Sequence, residues 1–236
     1  KEIRYSIDSW KGNFFIHTNL NAEDFKICIC KHKNIENWKD LILPINGVLI
    51  GGFYLLNKWM IRSEIRDALS KLYVRNLNTN SEEELIITKE KVISLGASLM
   101  QKDRNTNKIY VAYNSPKTPG STYIYDISEK EKKLVKKEII PSGHDPEDYI
   151  VERLNCDSHD GKKIPLTITR HKKTKLDGNA NLLLYGYGSY GSSIGPGFSS
   201  ARLSLINRDI IWVTTHIRGG MERGMNWWKE GKMLNK

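Results

Sequence analysis

Asn13-Phe14-Phe15-Ile16-His17-Thr18, Met60-Ile61-Arg62-Ser63-Glu64-Ile65 and Lys108-Ile109-Tyr110-Val111-Ala112-Tyr113 are alternating segments whose starts lie 47 and 48 residues apart. Alternation places successive side chains on opposite faces, the mark of a strand. A second strand follows each, at Phe25–Cys30, Lys71–Asn76 and Thr122–Ile127, and a third at Trp38–Leu43, Glu83–Thr88 and Lys132–Glu138. A strand precedes two of the sets, at Val48–Leu55 and Val92–Met100. Four strands per ~45 residues is the arithmetic of a β-propeller blade, and blades must stack because one sheet alone cannot bury both faces. The spacing predicts about three four-stranded blades over residues 1–142, with a sandwich of regularly spaced strands as the plainer alternative.

Outward from the repeat, Pro141-Ser142-Gly143-His144-Asp145-Pro146 reads as a linker, and the pattern changes beyond it. Tyr149–Asn155 and Lys163–Arg170 read as a hairpin around Asp160-Gly161. Asn181-Leu182-Leu183-Leu184-Tyr185 reads as a strand buried on both faces, Ser200–Ile206 as a helix, Asp209–Thr215 as a second buried strand and Met225–Asn235 as a second helix. Strand alternating with helix predicts an α/β unit over residues 143–236, with a sheet that becomes parallel. The fold class is therefore β plus α/β.

Composition narrows the function classes. Hydrophobic residues make up 39% of the 236 and charged residues 27%, a globular balance. The sequence lacks an apolar run long enough to span a membrane, and its first residues, Lys1-Glu2-Ile3, have no apolar signal region and no methionine, which fits a piece of a longer chain. The net charge of +10 comes from lysines scattered through many segments, so a solvated surface is expected rather than a nucleic-acid partner. Cys28, Cys30 and Cys156 lack zinc spacing, and the first two alternate along one strand as packing residues. Sparse cysteine use predicts a reducing, cytoplasmic setting, and no metal or cofactor is expected.

Two motifs compete for the glycine-rich stretch. Gly186-Tyr187-Gly188-Ser189-Tyr190-Gly191 has the G-x-G-x-x-G spacing of dinucleotide sites, but Ser192-Ser193-Ile194-Gly195-Pro196-Gly197 follows where a phosphate-binding helix must open. Gly191-Ser192-Ser193-Ile194-Gly195 has the G-x-S-x-G spacing of a nucleophile elbow, yet Ser193 lacks a strand running directly in and a helix running directly out. Neither motif meets its structural requirement. His17, His144, His159 and His171 read as surface residues rather than catalysts.

Leu182-Leu183-Leu184-Tyr185-Gly186-Tyr187-Gly188-Ser189-Tyr190-Gly191, Phe198–Leu205 and His216-Ile217-Arg218-Gly219-Gly220-Met221-Glu222-Arg223-Gly224, with Trp227 and Glu230-Gly231-Lys232, closely resemble the prolyl oligopeptidase family of serine peptidases. Glu152-Arg153-Leu154, Ser158-His159-Asp160-Gly161 and Ile164-Pro165 fit the same family, and Gly12-Asn13-Phe14 and Thr118-Pro119-Gly120 resemble its propeller. Arg202-Leu203-Ser204-Leu205 and His216–Gly220 look more like its oligopeptidase B branch than its proline-specific branch. The resemblance implies the last blades of a seven-bladed propeller followed by the first part of an α/β-hydrolase domain. It implies cleavage of short peptides after Arg or Lys.

The resemblance also implies roles. The second tyrosine of Tyr-Gly-Tyr-Gly, Tyr187, would supply a hydroxyl to the oxyanion hole, and Tyr190 would line the first specificity pocket. A donor of this kind contributes about 3 kcal/mol to acyl transfer. Gly195 and Gly197 stand where many members of the branch carry aspartates for a second basic side chain, and Met221 replaces a glycine of the family's run. The family's elbow serine, aspartate and histidine match positions beyond Lys236, so the chain alone is expected to lack peptidase activity. A separate chain carrying that triad is a conceivable partner, besides short basic peptides. The other readings are a non-catalytic peptide- or protein-binding module from a degraded gene, and a nucleotide-binding α/β protein.

Overall fold

A computed structural model describes residues 2–235, and among them four four-stranded sheets form. The first holds β1 (Tyr5–Trp10), β2 (Asn13–Thr18), β3 (Lys26–Lys31) and β4 (Asn34–Ile42). The second holds β5 (Val48–Leu56), β6 (Trp59–Arg66), β7 (Leu69–Asn76) and β8 (Glu82–Glu84). The third holds β9 (Ser94–Leu99), β10 (Lys108–Asn114), β11 (Ser121–Asp126) and β12 (Glu131–Lys137). In all three, neighbours in sequence pair antiparallel. Two-residue turns with positive φ close several hairpins: Lys11 and Gly12 at 46° and 76°, and Asp67 and Ala68 at 50° and 64°.

The middle sheet shows why these meanders stack. Met60 and Ile61 are neighbours on β6 and so face opposite ways. Met60 enters a core with Phe15, Ile27, Ile42, Ile50 and Leu55, against the first sheet. Ile61 enters a core with Leu72, Val74, Ile109, Val111 and Tyr125, against the third. The middle sheet is thus a slice buried on both faces by its neighbours, which is the stacking of propeller blades. The outer strand β12 is exposed along its whole length and carries four lysines, a polar rim that discourages edge pairing. Within the second sheet's faces sits a buried ion network. Arg62 binds Glu64 and, at 2.8 Å, Glu82, and its guanidinium lies 4.3 Å over the Tyr73 ring.

The alternation locates the strands, with two differences. β1 completes the first blade and pairs with β2 from Tyr5↔Thr18 to Trp10↔Asn13, although only three strands are expected there. The strand expected at Glu83–Thr88 is the short β8, because Leu85 and Ile87 leave the ladder to fill the core between the second and third sheets.

The fourth sheet is mixed. β13 (Tyr149–Asp157) and β14 (Lys163–His171) form the expected hairpin, with Gly161 at a φ of 77°. β15 (Leu182–Gly186) runs parallel to β16 (Ile211–Thr215), and the order is β13-β14-β16-β15. α1 (Ser200–Ile206) buries Leu203 and Ile206 against Tyr149, Phe198 and Trp212. β15 is not buried on both faces as expected. It is the edge of its sheet, and Leu182 and Leu184, opposite the face that α1 covers, remain 55% and 64% exposed. α2 (Gly224–Lys229) also ends earlier than expected. Gly231 passes so close to Gly219 that a Cβ on it would lie 2.2 Å from the Gly219 nitrogen, and only a short 3-10 turn, Met233–Asn235, follows.

Polar groups join the fourth sheet to the other three. Asp24, buried before β3, accepts from the backbone N–H of Met225 at 2.6 Å and of Gly47 at 2.8 Å, so one carboxylate ties the start of α2 to the second sheet. Asn114 accepts from the Phe198 N–H at 3.0 Å, and Arg223 pairs with Asp67. No helix among the described residues is long and apolar enough to cross a membrane.

Candidate functional site

The glycine-rich loop leaves the carboxyl end of β15, where a parallel pair in an α/β sheet presents its crevice. It is held backbone against backbone. A Cβ on Gly188, at a φ of 58°, would lie 2.4 Å from the Arg218 carbonyl oxygen, and one on Gly219 would lie 1.9 Å from that of Gly188. The Gly191 N–H donates to the Gly219 carbonyl at 2.8 Å. Glycine is needed here for approach as much as for turning. The loop therefore docks on the 218–220 segment without side chains between them.

That packing sets the tyrosines. Tyr187 follows the last residue of β15, between Gly186 and Gly188, and is 43% exposed. Tyr190 takes a left-handed φ of 56° and is 91% exposed. Such a φ strains an ordinary side chain and recurs at binding loops. Tyr185, on the preceding strand, instead packs its ring 5.9 Å from Trp212.

Beyond Tyr190 the loop is anchored by two buried side chains. His216, fully buried, bonds through Nδ1 to the Ile194 carbonyl at 2.8 Å and through Nε2 to Thr167 Oγ1 at 2.7 Å. Glu222 accepts from the Ile194 N–H through Oε1 at 2.9 Å, and its Oε2 is buried without a hydrogen-bond partner among the described residues. Burial, with Arg153 nearby, lowers the His216 pKa to about 4, and burial raises that of the Glu222 carboxyl. The sequence places both residues in one stretch, but nothing local marks how they act together, because Arg153, Thr167 and Ile194 come from three other segments.

The two competing motifs lack their geometry. After Gly191 the next helix is α1, which opens only at Ser200, so no helix N-terminus meets the glycines. Ser193 lies in the same loop with its Oγ buried, and the two ring nitrogens of His216 bond to Thr167 and Ile194. A Cβ on Gly195 would meet nothing within 4 Å, and one on Gly197 would sit 3.4 Å from Asn114 Oδ1. Space does not compel glycine at Gly195, so its lack of a carboxylate is a chemical difference. Among the described residues no group of three His, Cys, Asp or Glu side chains could hold a metal ion.

Comparison with known proteins gives these features a context. The family model described as prolyl oligopeptidase, N-terminal β-propeller domain, matches residues 1–138. The chain is 32% identical over 240 residues to dipeptidyl aminopeptidase BI of Pseudoxanthomonas mexicana, covering 100% of this chain and 33% of that protein. It is 27% identical to protease 2 of Moraxella lacunata, over 99% of this chain and 33% of that one. Among solved structures, oligopeptidase B from Trypanosoma brucei with covalently bound antipain, in a closed form, superposes with a TM-score of 0.91 at 27% identity, over 99% of this chain and 34% of that one. The chain thus spans about a third of the length of the relatives it matches.

Proposed function

The chain belongs to the prolyl oligopeptidase family, and from that premise we propose that it is part of a serine oligopeptidase of the oligopeptidase B branch, which hydrolyses short peptides after Arg or Lys. In this reading residues 1–142 are propeller blades and residues 143–236 begin an α/β-hydrolase domain. Four sheets matching that division, and a mixed sheet with a parallel pair, support it. The protein acts in the cytoplasm on short basic peptides.

The single observation that carries the reading is the place of Tyr187. Its ring leaves the carboxyl end of β15 between two glycines, half-exposed, at the edge where α/β sheets bind their ligands. Acyl transfer builds negative charge on the carbonyl oxygen, and a hydroxyl already aimed at that oxygen stabilises the transition state without reorganising. Tyr187 is assigned that hydroxyl. Tyr190 is assigned the wall of the first specificity pocket, where an aromatic face suits the aliphatic stem and cationic head of Arg or Lys. The glycines at Gly195 and Gly197 leave the second subsite without its acidic pair, so selectivity there is weaker than at the first.

An oxyanion donor without nucleophile and base does not form an acyl-enzyme. The chain alone is expected to leave a fluorogenic peptide ending in Arg intact. Joined to the downstream segment of an active relative, the chain is expected to regain turnover, and Tyr187→Phe then lowers kcat about 100- to 1000-fold with KM little changed. Full activity in the Phe variant removes the oxyanion assignment. Turnover by the unjoined chain removes the need for a triad elsewhere.

A further inference from the structure

One hydrogen-bonded circuit runs from the second propeller sheet to the glycine-rich loop. Its outer end is the hairpin tip Asp67–Ala68 between β6 and β7. Arg153, on β13, donates through one guanidinium nitrogen to the Asp67 carbonyl at 2.5 Å and through the other to Thr167 Oγ1 at 2.9 Å. Thr167 meets His216 Nε2 at 2.7 Å, and His216 Nδ1 meets the Ile194 carbonyl at 2.8 Å. The Ile194 N–H donates to Glu222 Oε1 at 2.9 Å, and the Glu222 carbonyl accepts from the Ala68 N–H at 3.0 Å, which closes the ring on the same hairpin tip.

The circuit has one consistent polarity. A carbonyl only accepts, so His216 Nδ1 carries the hydrogen toward Ile194. In a neutral ring Nε2 then accepts, and the Thr167 hydroxyl donates to it. Thr167 Oγ1 keeps its lone pairs for Arg153, which only donates. A proton added to Nε2 would set N–H against O–H and break the order. The low pKa of His216 agrees with this arrangement.

We propose that Arg153, Thr167 and His216 are positioning residues that hold the glycine-rich loop in register with the docked propeller hairpin, Ile194 being gripped through both its carbonyl and its N–H. The inference rests on the reading of that loop as the catalytic site, and deepens it: the blade does more than cover the site, because its hairpin tip fixes the segment that carries Tyr187 and Tyr190. The inner links, Thr167 to His216 and His216 to Ile194, lie among buried or half-buried polar groups, where a lost link is not replaced by water and so is transmitted, whereas the Arg153–Asp67 link at the hairpin tip is exposed.

Backbone hydrogen exchange on the 236-residue chain tests this, read at the Ile194 amide with Ile61 and Val111 as reporters of the sheet cores. Thr167→Val keeps the side-chain shape and removes the hydroxyl, whereas Thr167→Ser keeps the hydroxyl. The Val variant is expected to speed Ile194 exchange at least tenfold with Ile61 and Val111 unchanged, and Ser to restore the wild-type rate. Arg153→Lys, a point charge that cannot bridge two acceptors as the fork does, is expected to speed Ile194 exchange as well. The proposal is overturned if Ile194 stays within twofold of wild type in either variant, if Ser behaves as Val does, or if the three amides accelerate together. Should Thr167→Val not fold, Arg153→Lys alone decides by the same criteria. No peptide enters the measurement, so its failure leaves the oxyanion assignment of Tyr187 standing.

Discussion

Replacing His216 by Gln should flatten the loss of stability on acidification, and the size of the effect follows from where the ring sits. His216 is fully buried between Thr167 and the Ile194 carbonyl, with Arg153 beside it. Burial first, and the Arg153 charge second, lower its pKa from 6.5 to about 4. The unfolded chain therefore takes up a proton near the ordinary value while the native state resists until far lower pH. The neutral ring's contribution is complete above pH ~6.5 and is lost as pH falls toward ~4. At about 1.4 kcal/mol for each tenfold change in proton affinity, the loss amounts to about 3 kcal/mol. Gln cannot ionise, so its variant lacks this component. Two further groups act in opposite senses. His17, also lowered by burial, adds to the acid loss in both proteins, and Glu222, raised by burial, is stabilised as pH falls below its folded value. Both contributions are present in wild type and variant and largely cancel in the difference. Urea unfolding at pH 7 and pH 4 is the assay. The variant starts less stable at pH 7 but should lose about 3 kcal/mol less on acidification. Equal losses, within about 1 kcal/mol, would show that the buried ring does not govern the acid response.

Asp24→Ala strands the Met225 and Gly47 amides in a buried joint, and should lower the unfolding free energy by about 2–4 kcal/mol in urea titration; a change under 1 kcal/mol would show that the joint relaxes onto other partners. Arg62→Ala leaves Glu64, buried between blades, with only the Arg66 guanidinium at 3.3 Å as an ion-pair partner and should cost about 3 kcal/mol, whereas replacing Arg62, Glu64 and Glu82 together with apolar residues should recover most of it; an equally damaged triple variant refutes the buried-charge account. Leu182 and Leu184 present an apolar edge, so the chain as it stands should self-associate with concentration in size-exclusion chromatography, and Leu184→Lys should shift it toward monomer with little change in unfolding midpoint; a clean wild-type monomer contradicts this.

The blades were readable because their information is local. Alternation along Asn13–Thr18 and Lys108–Tyr113 states which side chains face the neighbouring sheets, and the elements β2 and β10 form where the alternation lies. The hairpin at Gly161 and the helix at Ser200–Ile206 were readable for the same reason, since turn chemistry and helical spacing act within a few residues. The run at Leu182–Tyr185 misled on burial because three leucines state a preference for cover without naming what supplies it. The ring from Asp67 to Ile194 was not legible in the sequence: Arg153, His216 and Glu222 stand in stretches that resemble the family, but nothing local says that they and Thr167 meet until the chain brings them together.

By itself, then, the sequence determined the strands, the change from sheet meanders to alternating strand and helix, and the glycines that let Tyr187 and Tyr190 leave a strand end, because each of these is written in neighbouring residues. Tertiary structure alone decided which strand became an edge, how closely Gly188, Gly219 and Gly231 approach, and that a buried histidine stays neutral to grip the loop. Those outcomes depend on desolvation and on donors and acceptors contributed from distant segments, and such quantities exist only once the chain has closed around them.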